Sequence, residues 1–279
     1  MTRAMALPTA GESRWFRRFH PNPEADISLV CLPHAGGTAS FYFPLSELLP
    51  STVEALVVQY PGRQDRLSEP CIESVPETAR AVFDVLKPLA AKRPVALFGH
   101  SMGAAVGFEL AMLLERELGT TPLALFTSAR SAASFQRGRD IHRLDDAGLV
   151  AELRRLSGTD AEILDERELL QLALPSIRSD YKASETYRAE PGTALRCDIV
   201  ALTGEADDRV SVEEAASWRE HTAGSFDLRV FPGATSMSPS TGQRWPRRSR
   251  TPCARCEPAA DRPPAEGEPD DACTFRDPL

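Results

Sequence analysis

The chain's clearest chemical signature is Gly99-His100-Ser101-Met102-Gly103, a G-x-S-x-G sequence. The apolar run "VALF" enters it and a long helical pattern leaves it, so the serine is expected on a strand-to-helix turn. A strained turn of that kind lifts a hydroxyl above a sheet. Glycines on either side remove side chains that would strike the neighbouring strand and helix. The helix beginning after Ser101 would point its first amides at developing negative charge. Nucleophilic attack on an acyl carbon is the chemistry such an arrangement suits. A small-residue turn carrying an inert serine is the plain alternative.

An oxyanion needs a second amide, and "LPHAGGTASFYFPL" can supply one. Its two glycines let the backbone turn back toward Ser101, and the amides of Ala35 and Met102 form the natural pair. An acid is expected at the end of a later strand. "IVALTGEADDRV" offers Glu205, Asp207 and Asp208, with Asp207 the choice, and an acidic surface turn the alternative. Such an acid would hold a histidine ring in its working tautomer. The histidine itself is missing: none follows His221, and the stretch "FPGATSMSPS" has none. His34 is better placed to shape the oxyanion loop than to act as base. His100 precedes the serine and should pack or hydrogen-bond away from the attacking face. His221 should end the helix "VEEAASWREH".

Several elements must position these groups. "ISLVCLP", "VEALVVQY", "LALFTSA", "CDIVALTGE" and "FDLRVFPG" read as strands, with helical patterns between most of them. "SVPETARAVFDVLKPLA" reads as a helix that Ser74 can cap, with Glu77 three residues on. The alternation indicates a mostly parallel α/β sheet with helices on both faces. Residues 1–26 read as an irregular N-terminal arm, with Trp15, Phe16 and Phe19 available to pack on a core. Residues 140–185 hold amphipathic helical patterns with no strand between them, as a lid over the active face would; a plain surface insertion is the alternative.

Composition narrows the class. The 279 residues are 42% hydrophobic, enough for a sizeable core, and the net charge of −8 argues against a nucleic-acid footprint. The N-terminus lacks the pattern of a secretory signal and no window is apolar enough to span a membrane, so a cytoplasmic location is expected. The six cysteines suggest no disulfide framework. Cys253 and Cys256 form a CxxC that lacks the further ligands of a zinc site. No cofactor or metal is expected.

With "LPHAGG", "YPGRQDR", "LFGHSMGA" followed by "FELA", "LPSIRSDYKASETY" and "LTGEADDRV", the chain resembles the type II thioesterases of nonribosomal peptide and polyketide synthesis. The likeness runs from about Trp15 to Gly233. It implies an α/β-hydrolase fold over residues 27–233, a lid at about 140–185, and hydrolysis of acyl groups from the phosphopantetheine arm of carrier domains. It also implies Ser101 as nucleophile, Asp207 as triad acid, Ala35 and Met102 as oxyanion amides, acyl or peptidyl carrier domains as partners, and a monomer.

The resemblance breaks after Gly233. The family places its catalytic histidine shortly after Phe-Pro-Gly; here Thr235 stands at that position, and threonine does not relay a proton as imidazole does. Residues 234–279 are rich in Pro, Arg and Ala and are expected to be disordered or out of frame. Ala234 to Ser238 can be spelled GCC ACT TCT ATG TCC, which two bases along reads His-Phe-Tyr-Val. One lost base would explain both the missing histidine and the altered tail. The expected function is an editing thioesterase, impaired as written. The alternatives are a non-catalytic module that binds a carrier or acyl chain, and a serine esterase or acyltransferase.

Overall fold

The computed structural model describes residues 10–135, 138, 140–155, 166–233 and 235. The chain divides into units Met1–Thr241 and Gly242–Leu279, and every described residue lies in the first. The expected tail, with Cys253 and Cys256, lies outside the described residues apart from Thr235.

Seven strands form one sheet. In chain order they are β1 (Phe16–Arg17), β2 (Ile27–Leu32), β3 (Val53–Val58), β4 (Val95–His100), β5 (Ala124–Ser128), β6 (Asp198–Gly204) and β7 (Phe226–Phe231). Their spatial order is β1-β3-β2-β4-β5-β6-β7. All neighbours are parallel except β1, which runs antiparallel to β3 with Phe16 opposite Val58. Over residues 10–17 the expected irregular arm is instead regular. Residues Ala10–Trp15 form a short helix, α1, and Phe16 is buried at the sheet edge, where its apolar ring has core to cover.

The helices are α2 (Phe43–Leu48), α3 (Val75–Ala90), α4 (Met102–Glu117), α5 (Asp146–Arg155), α6 (Arg167–Thr186) and α7 (Val212–Ala216). Ser74 caps α3 by accepting from the Glu77 amide at 3.4 Å, and a proline occupies its first turn. α4 is apolar nearly all round, as a helix buried on every side should be. It is buried from Met102 to Leu114 except at Glu109 and Met112. The main core joins β2, β3 and β4 to these two helices through Val30, Leu32, Leu56, Leu97, Phe83 and Phe108.

The order of strands determines where a ligand can sit. From β2 the chain steps outward to β3, then returns to the other side of β2 as β4 and continues to β7. The loops leaving β2 and β4 therefore diverge at their C-terminal ends. That divergence opens the crevice in which sheets of this kind bind ligands.

Between β5 and β6 the described residues contain α5, α6 and a 3-10 turn at Ile141–Arg143. Ile141, Leu149, Leu153, Leu174, Ile177 and Tyr181 make a second apolar cluster, and Ala35 packs against it. The insertion thus rests on the loop after β2. Edge strand β7 contrasts with the central strands: Asp227, Arg229 and Val230 are exposed.

Candidate active site

Ser101 bridges β4 and α4 with φ 51° and ψ −115°. A side chain other than glycine held there stores strain of order 1–3 kcal/mol, which the surroundings must impose. Its amide donates to the Ser128 carbonyl at 2.8 Å, and its carbonyl accepts from Ala104 at 3.0 Å. The flanking glycines act by size. A Cβ on Gly99 would lie 2.2 Å from the Gly103 carbonyl oxygen, and one on Gly103 would lie 2.0 Å from that of Leu32. So α4 starts in backbone contact with both β4 and the end of β2. Met102 is the first residue of α4, where an amide has no partner within the helix.

The loop after β2 is held from several sides. Tyr42 Oη donates to the Leu32 carbonyl at 2.9 Å and Tyr60 Oη to that of Pro33 at 3.3 Å. The Ala39 amide donates to Gln59 Oε1 at 2.8 Å. Gly36 takes φ 75°, a left-handed value that suits glycine. Its amide donates to Asp180 Oδ2 at 2.8 Å, and Arg63 Nη1 donates to the Gly37 carbonyl at 3.1 Å. Arg63 and Asp180 are themselves paired at 2.6 and 2.9 Å. Burial works against the Arg63 charge, but Asp180 outweighs it and raises the guanidinium above its usual value. These contacts give "YPGRQDR" and "RSDYKASETY" a physical purpose that spacing alone did not reveal: both reach the loop carrying Ala35.

At the acid position the structure separates two adjacent aspartates. Asp207 Oδ1 accepts from the amides of Arg209 at 2.8 Å and Val210 at 3.0 Å, which fixes its carboxylate within the loop after β6. Asp208 is exposed and pairs with Arg155 of α5 at 3.1 Å. Glu205 is exposed as well. Thr235 folds back to the same edge of the sheet, where its Oγ1 accepts from the Gly204 amide at 2.6 Å. Ser101 after β4, Asp207 after β6 and Thr235 after β7 thus share the C-terminal edge of one parallel sheet.

His221, His100 and His34 each contact other groups. His221 is 2% exposed, with Nδ1 2.8 Å from the Thr193 carbonyl and Nε2 2.8 Å from Ser134 Oγ. Both ring nitrogens are thus occupied by partners away from Ser101. His100 Nδ1 lies 3.0 Å from Ser128 Oγ, and burial, with His34 nearby, pushes its pKa down to about 3. The His34 ring packs edge-on against Phe41 at 4.6 Å and His100 at 5.5 Å. Among the described residues no cluster of His, Cys, Asp or Glu could hold a metal, and no helix is long and apolar enough to cross a membrane.

A mostly parallel sheet with helices about it and a strained serine where β4 meets α4 place the chain in the α/β-hydrolase class. Within that class the chain belongs to the thioesterase domain family, whose model matches residues 27–241. It is 52% identical over 219 residues to thioesterase PikA5 of Streptomyces venezuelae, covering 78% of each chain. It is 32% identical over 222 residues to the gramicidin S biosynthesis protein GrsT of Aneurinibacillus migulanus, covering 79% of this chain and 86% of that one. The solved type II thioesterase BorB of the borrelidin cluster is 50% identical with a TM-score of 0.73, over 78% of this chain and 89% of that one. RedJ, a thioesterase of the prodiginine pathway in Streptomyces coelicolor, is 36% identical with a TM-score of 0.72, over 77% and 85%. The chain is a hydrolase of the serine thioesterase kind.

Proposed function

We propose that this chain hydrolyses acyl or peptidyl thioesters on the phosphopantetheine arm of carrier domains, as an editing enzyme of a polyketide or nonribosomal peptide synthase. The observation that carries this is the strained Ser101 at the head of α4, beside a clamped glycine loop. The likeness to thioesterase PikA5, to the gramicidin S biosynthesis protein GrsT and to the type II thioesterase BorB of the borrelidin cluster supports the setting. In the reaction Ser101 Oγ attacks the thioester carbonyl, and the amides of Ala35 and Met102 hold the oxyanion. The carbon–sulfur bond breaks, the thiolate leaves and takes up the proton released by Ser101. Water then attacks the acyl-enzyme and frees the acid and the serine. Asp207 is the residue fixed to orient a base, and α5 and α6 form the lid over the acyl chain.

Thr235 favours a second reading. With no imidazole there, Ser101 is poorly activated near neutral pH, and the protein is a non-catalytic module that binds a carrier domain or its acyl chain. The test is intact-mass measurement of acyl release from a loaded carrier domain. Oxyanion donors and binding alone should sustain about 10³ to 10⁴ over water. Release no faster than in buffer, with carrier binding retained, would leave the binding reading. Faster cleavage of the matching oxygen ester would mark an esterase instead.

A further inference from the structure

We infer that Asp180 is a positioning residue: from the insertion it sets the conformation of the loop whose Ala35 amide faces the reacting carbonyl. The catalytic half of this inference rests on the hydrolase reading above. Asp180 lies on α6, yet its Oδ2 accepts from the Gly36 amide at 2.8 Å. Arg63, in the loop after β3, closes the arrangement by pairing with both carboxylate oxygens at 2.6 and 2.9 Å and donating to the Gly37 carbonyl at 3.1 Å. Peptide groups on the two sides of the Gly36-Gly37 pair are thereby tied to one ion pair. Both partners are buried, at 5% exposure for Arg63 and 3% for Asp180. Three residues before Asp180, Ile177 sits so close that a Cβ on Gly36 would meet its Cγ1 at 2.9 Å. One face of α6 therefore presses the loop while the carboxylate anchors it.

The charges make sense only as a set. A lone carboxylate beside an amide that must receive an oxyanion would oppose the developing charge. Paired with Arg63 it adds no net charge, and it keeps its hydrogen-bonding power. Its bond to the Gly36 amide is charge-assisted and shielded from water, so it constrains the loop more firmly than a neutral acceptor would. The insertion, then, helps to build the oxyanion site as well as to cover it.

Asp180→Asn keeps an acceptor but loses the counter-charge. The double variant Arg63→Met with Asp180→Leu removes the clamp without leaving a buried charge, a replacement that tends to preserve stability. Hydrogen exchange on the full chain should show the amides of Gly36 to Thr38 exchanging roughly ten- to a hundred-fold faster in the double variant, the range expected for losing a charge-assisted hydrogen bond. Asp180→Asn should fall between it and the wild type. Amides of β2 and α4 should keep their protection. Loop exchange unchanged in both variants, or accelerated equally through β2 and α4, would overturn the clamp. On a loaded carrier domain, kcat should drop by about tenfold or more with KM held, since loop misplacement acts on the transition state. An unchanged kcat in a variant whose loop exchanges faster would overturn the catalytic half. If the wild type releases no acyl group at all, the hydrolase reading fails by itself, and exchange still decides the clamp.

Discussion

Gly103→Ala tests the packing that places Ser101. Its new Cβ would lie 2.0 Å from the Leu32 carbonyl oxygen, 2.6 Å from that residue's carbonyl carbon and 2.8 Å from the Pro33 oxygen. All three are backbone atoms, so no side chain can rotate aside; either α4 or the end of β2 must shift by about an ångström. Overpacking of a core costs about 1–3 kcal/mol, and a backbone clash belongs at the upper end. Alanine returns about 1 kcal/mol through helix propensity. The net loss is about 2 kcal/mol or more. Gly107→Ala, one turn along α4, is the control. There a Cβ meets only Leu125 Cδ1 at 3.0 Å and Leu32 Cδ1 at 3.2 Å, side-chain ends that can move. It should stay within about 1 kcal/mol of the wild type, with propensity offsetting the squeeze. Urea unfolding followed by circular dichroism, analysed by linear extrapolation, measures both. Equal midpoints for the two variants would refute the idea that size alone dictates glycine at 103.

Three further outcomes follow from the same site. Ser101→Gly should be more stable than Ser101→Ala by about 1 kcal/mol, because glycine accepts φ 51° without strain and loses only part of that gain to chain entropy; equal urea midpoints would show that no strain is stored there. His100 stays neutral in the fold down to about pH 3 but charges in the unfolded chain below about 6.5, so stability is complete above pH 6.5 and declines as pH falls toward 3, by up to ~1.4 kcal/mol per unit. Urea midpoints from pH 7.5 to 4.5 should fall less steeply in His100→Gln, and parallel slopes would refute the assignment. Sequencing the gene across the Gly233–Ala234 junction should reveal, two bases along, His-Phe-Tyr-Val followed by an amphipathic helical stretch, whereas an immediate stop codon would rule out a lost base.

The elements that the sequence revealed are those whose signals are local. Strands β2 to β7 announced themselves as short apolar runs, and Ser74 with Glu77 marked the start of α3. The serine turn was readable because strand, glycines and helix lie side by side in the chain. β1 escaped notice because two residues carry no periodicity, and only the pairing of Phe16 with Val58 makes them a strand. α2 was missed for a similar reason: its six residues, "FPLSEL", are too few to show a helical stripe. The roles of Arg63 and Asp180 were hidden by distance, since 117 positions separate them. Asp207 and Asp208 look alike in the chain. What distinguishes them is direction, one toward the amides of its own loop and the other toward Arg155 on the insertion.

The central claim is that Ser101 sits in a hydrolytic site lacking only its base, at position 235. Acyl release from a loaded carrier domain, measured side by side for the wild type, Thr235→His and Thr235→His with Ser101→Ala, tests it most directly. A well-placed general base contributes about 10² to 10⁴ in rate. Thr235→His should therefore accelerate release at least about a hundred-fold near neutral pH, and adding Ser101→Ala should return the rate to that of the wild type. A Thr235→His protein no faster than the wild type, or a gain that survives the loss of Ser101, would contradict the account.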